Sequence, residues 1–319
     1  MVFIIKNIVD TKAKVLRYVW VLIVLVLFLS LMAIRNIVTG ENMIGKVGRV
    51  TMTGILGDPN DLALAVVIVV PFIYGFISAY RSAIIRFILI VTLLLRIHCI
   101  KATYSRGGLL GFGTVTFLFA ILGRPRKIQL IVTGAMIFLV LLVVVGGFGM
   151  RDDDGAADSA NSRFKLWEAG VRMAIASPIF GQGLSNFSFK SKAFSPSYPV
   201  NKTAHSIFFL VLGELGFVGL YFFCMLLFTE LKMGWKLQRL AREYPRHSPY
   251  RAIARGCFPS FCGFIVCGLT LSQSYTWFPY IIIALTVVTT RVLAWEEGYQ
   301  KYYHIVPMID QKIDRRMRI

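Results

Sequence analysis

The sequence predicts an all-α membrane protein with about eight transmembrane helices and one large outer loop containing an amphipathic helix. Three observations predict it. The 319 residues are 56% hydrophobic with a mean hydropathy of +0.68, too apolar for a soluble domain. The apolar residues come in runs of about 20, the thickness of a bilayer core, and not as a stripe of period 3.6. Basic residues gather in alternate loops, as in chains whose cytoplasmic loops collect Lys and Arg.

Eight runs qualify: Val15–Ile34, Leu62–Tyr80, Ala83–Ile100, Gly107–Gly123, Ile128–Gly149, Ser206–Phe228, Ile253–Leu271 and Tyr275–Ala294. The first is too long for the apolar core of a signal peptide, and no small-x-small cleavage pattern follows it, so it reads as a retained anchor helix. The third is short where uninterrupted, Phe87–Leu95, with Arg86 and Arg96 at its flanks. Arginines near helix ends can snorkel to headgroups, so it still reads as a span.

The net charge of +19 invites a nucleic-acid reading. With the N-terminus inside and eight spans, the inside segments hold the larger share of the 35 Lys and Arg. The short basic stretches Arg124, Arg126, Lys127 and Arg239–Arg255 orient the chain most firmly. The charge is therefore topology plus attraction to anionic lipid, with no nucleic acid implied. Both termini fall inside. Cys99, Cys224, Cys257, Cys262 and Cys267 form no metal-ligand spacing with histidine and read as small buried hydrophobes.

The chain (1–319) reads as one membrane domain without internal repeats. Its outer segments are a smaller loop over 35–61 and the large loop over 150–205; a basic tail, 296–319, lies inside. The large loop opens on a polar stretch, Arg151–Gly155. A helix signal follows, capped at Asn161 or Ser162 and stopped by Pro178. In it Glu168 and Arg172 form an i, i+4 pair, and Arg163, Trp167, Gly170 and Ala174 share a face. Gly181-Gln182-Gly183 reads as a turn.

Several residues could carry chemistry at the outer face. Arg106 opens the fourth span in Ser105-Arg106-Gly107-Gly108, where a guanidinium suits diphosphate oxygens and glycines permit close approach. The plain alternative is an arginine snorkelling to lipid phosphate. Arg163 and Lys165 at a helix start would make an anion site, or be solvated charges. His205 could deprotonate a hydroxyl, or be structural; His98, His247 and His304 look like loop or interfacial residues. Glu214, an acid inside an apolar span, needs a partner and could neutralise a site arginine or sit protonated. No Walker loop, Gly-x-Ser-x-Gly or His-Glu-x-x-His occurs. Asp152-Asp153-Asp154 reads as solvated charge, so no metal and no cofactor are expected.

These pieces, in this order, resemble the O-antigen ligase and polymerase family. The carriers are Ser105-Arg106, Arg163 with Trp167, Pro178-Ile179-Phe180-Gly181-Gln182-Gly183, Ala204-His205-Ser206 and Gly213-Glu214-Leu215-Gly216-Phe217-Val218-Gly219. Gly57-Asp58-Pro59-Asn60-Asp61-Leu62-Ala63 resembles the family's Asn-containing start of an earlier span. With Thr103-Tyr104-Ser105-Arg106-Gly107 it looks closest to the O-glycosylation ligases associated with exosortase systems. Family members have more spans ahead of that segment than the one found here.

The resemblance implies a bacterial inner-membrane transferase, both termini cytoplasmic. It would move a glycan from undecaprenyl diphosphate to lipid A-core sugar or a protein Ser/Thr hydroxyl at the periplasmic face. It implies that Arg106 and Arg163 hold the diphosphate and His205 serves the acceptor. Arg172, Lys165, Trp167 and Glu214 would line the substrate site. A polymerase of the same family shares the donor chemistry. A transporter or scaffold without catalysis would instead gather its polar residues near mid-membrane.

Overall fold

The computed structural model describes residues 1–45, 48–122, 153–195 and 201–296. A short helix α1 (Val2–Ile8) precedes α2 (Lys12–Thr39), which ends on Gly40 in the left-handed conformation. A hairpin of two short strands, β1 (Met43–Ile44) and β2 (Arg49–Val50), and a 3-10 turn at Gly54–Leu56 follow. Then come α3 (Pro59–Val67), α4 (Val70–Ala79), α5 (Ala83–Ala102) and α6 (Arg106–Ile121). The rest is α7 (Asp153–Ala176), α8 (Phe187–Phe194), α9 (Ile207–Leu240), α10 (Pro249–Gly268) and α11 (Trp277–Glu296). The hairpin is the one departure from an all-α description among the described residues.

Four helical stretches are long and apolar enough to cross a membrane: Lys12–Thr39, Pro59–Ala79, Ala83–Ala102 and Ile207–Leu240. They coincide with four of the expected runs. Arg106–Ile121 and Trp277–Leu293 are apolar but shorter. Helix α10, of 20 residues, covers the seventh run. The run Ile128–Gly149, the basic stretch Arg124–Lys127, Arg151, Asp152 and the tail beyond Glu296 lie outside the described residues.

Leu62–Tyr80 reads as one span in the sequence but folds as two helices, α3 and α4, joined at Ile68 and Val69. Proline at 71 has no N–H to donate to the preceding turn. The break frees a carbonyl in an apolar setting, and the Ser260 hydroxyl of α10 donates to Ile68 O at 2.5 Å. This stretch is the bundle's centre: 83% of its apolar window is buried, against 28% for α2 and α5.

Helix α10 packs between α4 and α6 through small residues, which substitute close backbone approach for the hydrophobic drive that lipid does not supply. A Cβ on Gly111 would stand 2.3 Å from Cys267 Sγ, and one on Gly256 2.6 Å from the Phe72 ring. Cys99, Cys257 and Cys267 are buried free thiols as expected, but Cys224 is exposed on α9.

Arg96 departs most from expectation. It does not snorkel: it is fully buried and donates from Nη2 to Ile23 O of α2 at 2.5 Å. Its Nε and Nη1 have no acceptor among the described residues. Arg86, by contrast, sits at the α5 start and donates to Tyr80 O at 2.6 Å.

Candidate functional site

Helix α7 begins at Asp153, not at a cap on Asn161 or Ser162. Arg163 is therefore about three turns into the helix, and the anion site expected from free N–H groups beside it does not form. Asp153 and Asp154 are helical rather than part of a loop. The C-terminal stop holds, because the helix ends at Ala176 ahead of Pro178.

The expected shared face exists and packs along α9. The Trp167 indole stacks on Phe209 with centroids 5.1 Å apart and planes 11° apart. Gly170 lies against Phe209 O, where a Cβ would stand at 2.9 Å, and Ala174 is buried. Phe187, the first residue of α8, fills the space between Gly170 and Gly213. Glu168 and Arg172 form the expected pair at 2.6 Å, about half-exposed. At about 100° per residue, Arg172 stands opposite Arg163 on α7. The Lys165 carbonyl accepts from Ser195 Oγ at 3.4 Å.

The Gly181-Gln182-Gly183 turn is more than a connector. Helix α9 is broken at Gly216, at φ 68° and ψ −166°. Such backbone is open almost exclusively to glycine. The Gln182 N–H donates to Gly213 O at 3.0 Å and the Gly183 N–H to Glu214 O at 2.9 Å. The Phe217 N–H donates to Pro178 O at 2.8 Å. The turn thus satisfies the backbone groups that the break orphans. Gly181, at φ 62°, leaves no room for a side chain, since a Cβ would meet the Glu214 carbonyl carbon at 2.4 Å. Glu214 itself is buried and accepts the Phe187 N–H at 2.9 Å, beside Tyr275. It serves the start of α8, and no arginine of the described residues engages it.

His205 stands just ahead of α9, at φ 49°. Its N–H donates to Ser272 Oγ at 2.7 Å, in the segment after α10. Burial pushes its pKa below the ordinary 6.5; Arg163 and Lys202 push the same way, and Asp58 opposes them. Asp58 from the start of α3, Arg163 from α7 and Lys202 thus lie near enough to act on this imidazole by charge.

Asp58 caps α3, accepting the Asn60 N–H and the Asn60 Nδ2 at 2.7 Å each. Arg49 of the hairpin joins this cap to the α5–α6 turn: it donates to Asn60 Oδ1 at 3.1 Å and to Thr103 O at 2.8 Å. In that turn Tyr104 takes φ 47°, and Ser105 Oγ caps α6 by accepting the Gly108 N–H at 3.0 Å. Arg106 follows, exposed. Gly107 lies against Thr270, two residues before Ser272, so packed segments connect the Arg106 turn to His205 without direct contact. Asp61, buried one turn into α3, lies against Gln273.

Arg49, Asp58, Asp61, Ser272 and Gln273 were not singled out individually from the sequence. The only signal was the Gly57–Ala63 motif; the others depend on pairings between distant segments. Among the described residues no three of His, Cys, Asp and Glu gather as a metal would require.

Compared with known families, residues 90–224 match the one described as O-antigen ligase. A search of curated proteins finds no match.

Proposed function

We propose that this chain, whose residues 90–224 match the O-antigen ligase family, moves a glycan from undecaprenyl diphosphate to an acceptor hydroxyl at the periplasmic face. The carrying observation is His205, held ahead of α9 by Ser272, with Asp58, Arg163 and Lys202 near enough to act on its imidazole by charge. These residues come from separate segments, and they unite a proton acceptor with cations.

In this reading neutral His205 takes the proton of the acceptor hydroxyl as its oxygen attacks the anomeric carbon. The bond from that carbon to the diphosphate oxygen breaks, and undecaprenyl diphosphate leaves with the electron pair. Arg163 and Arg106 hold the diphosphate and stabilise its growing negative charge. Asp58 favours the imidazolium that results. Attack opposite the leaving group inverts the anomeric centre, and fixed cations do the electrostatic work without a metal. The acceptor is a lipid A-core sugar or a protein Ser/Thr hydroxyl; the likeness to exosortase-associated ligases favours the protein. The membrane is the bacterial inner membrane, with both termini cytoplasmic.

A polymerase of the same family would use the same residues with a glycan repeat as acceptor. A transporter would collect its polar groups along one path. Here the buried ionisable residues Arg96 and Glu230 belong to different seams, α2–α5 and α9–α11, which speaks for the outer-face site.

The test is glycan transfer from undecaprenyl diphosphate in membranes holding the intact chain, Arg163→Ala or His205→Ala. Loss of about 100-fold or more in both, at normal abundance, is expected. Full activity in either variant removes that residue from the mechanism.

A further inference from the structure

The α7–α8 unit carries an apolar surface that glycan transfer does not use. Phe164, Val171 and Ile175 form an exposed strip on α7, and Ile179, Phe180 and Leu184 continue it past the helix end. Phe180 is 80% exposed and Ile175 65%. A loop standing in water gains nothing from such a strip.

Depth along α9 identifies what covers it. The exposed apolar side chains of α9 run from Phe217 to Phe228. Exposed Lys232, Trp235, Lys236 and Arg239 follow, with Lys232 Nζ 4.3 Å from the Phe228 ring centroid. Cations and tryptophan mark the end of a lipid-facing band, so its inner edge lies near Lys232. Phe217 to Phe228 spans only about 18 Å of helix, against a hydrocarbon core of about 30 Å. Counting about 30 Å outward from Lys232 reaches Leu212, and any tilt moves the edge farther out.

Between Leu212 and Phe217, α9 is covered by the Pro178–Gly183 turn, hydrogen-bonded to Gly213, Glu214 and Phe217. Helix α7 runs parallel to α9, with Trp167 at Phe209 and Pro178 at Gly216, so both descend inward. Its C-terminal end is therefore the deep end. The Glu168–Arg172 pair beside the strip lies outward of Ile175.

We propose that this unit inserts into the outer leaflet, with Ile175, Ile179, Phe180 and Leu184 immersed in lipid acyl chains and completing the band that α9 leaves short. The proposal deepens the transfer reading, on which its functional meaning rests. His205, seven residues outward of Leu212, then stands about 10 Å above the hydrocarbon edge, near the outer boundary of the headgroup layer. The phosphates of a lipid-linked donor are within reach of that level.

The test uses the full chain in liposomes, with Cys224→Ser and Cys262→Ser to remove competing thiols. Nitroxides are placed at Ile179→Cys, at Phe180→Cys and, as the aqueous reference, at Lys192→Cys on the exposed side of α8. Collision with oxygen exceeding collision with a water-soluble nickel chelate at 179 and 180, and the reverse at 192, is the expected result. Nickel access at 179 and 180 equal to that at 192 overturns the proposal. Exclusion of both reagents also overturns it and points to a second copy of the chain seated on the strip. The measurement needs no turnover, so its failure is distinct from failure of the transfer assay.

Discussion

At the scale of single residues, His205 and Gly216 make the sharpest predictions. A base must be neutral to accept a proton, and burial with two nearby cations lowers the His205 pKa below 6.5. Transfer should therefore fall as pH drops through that lowered value and be full at neutral pH. Asp58 is the group that opposes the shift. Asp58→Asn keeps an N-capping side chain on α3, so the acid limb of the rate profile should move to lower pH. An unmoved limb would separate Asp58 from the imidazole. Gly216→Ala must place a Cβ about 2.5 Å from Pro178 O at φ 68°. Backbone strain alone costs about 1–3 kcal/mol, so a lower melting temperature in detergent and loss of transfer are expected.

Helix phase decides which arginine matters at the scale of elements. The resemblance implies a diphosphate role for Arg163 and a substrate-lining one for Arg172; α7 turns them to opposite sides, and Arg172 is held by Glu168. Arg172→Ala should retain most of the transfer activity, measured beside Arg163→Ala. Equal loss in both would mean that the donor wraps α7. The joint of α7, α8 and α9 rests on Phe187 between two glycines. Phe187→Ala should open a cavity costing about 3–5 kcal/mol, read as faster tryptic cleavage at Lys190 and Lys192.

Across the whole molecule, a buried α3–α4 and a glycine-faced α10 form a rigid centre, and the more lipid-exposed α2 and α5 flank it. Segments entering from four places meet at one end: the hairpin with α3, the α5–α6 turn, α7, and the residues between α10 and α11. With that end outside, a membrane-impermeant maleimide should label Lys192→Cys in intact cells and Arg242→Cys only after permeabilisation. Labelling in the opposite order would invert the proposed topology and move the site to the cytoplasmic side.

The sequence by itself determined the helical membrane architecture, four of the apolar spans, the packed face of α7 and the Gly181–Gly183 turn. Run length, period and glycine placement are local properties, and each is set by a few adjacent residues. Only the tertiary structure decided that α7 starts at Asp153, that Pro71 splits the second run and that Arg96 is buried. It alone shows why the turn has two glycines: the broken α9 is a backbone partner that no local pattern names. The nearness of Asp58, Arg163 and Lys202 to His205 has the same origin. Charges far apart in the chain acquire a common field only when packing of the intervening helices brings their segments together.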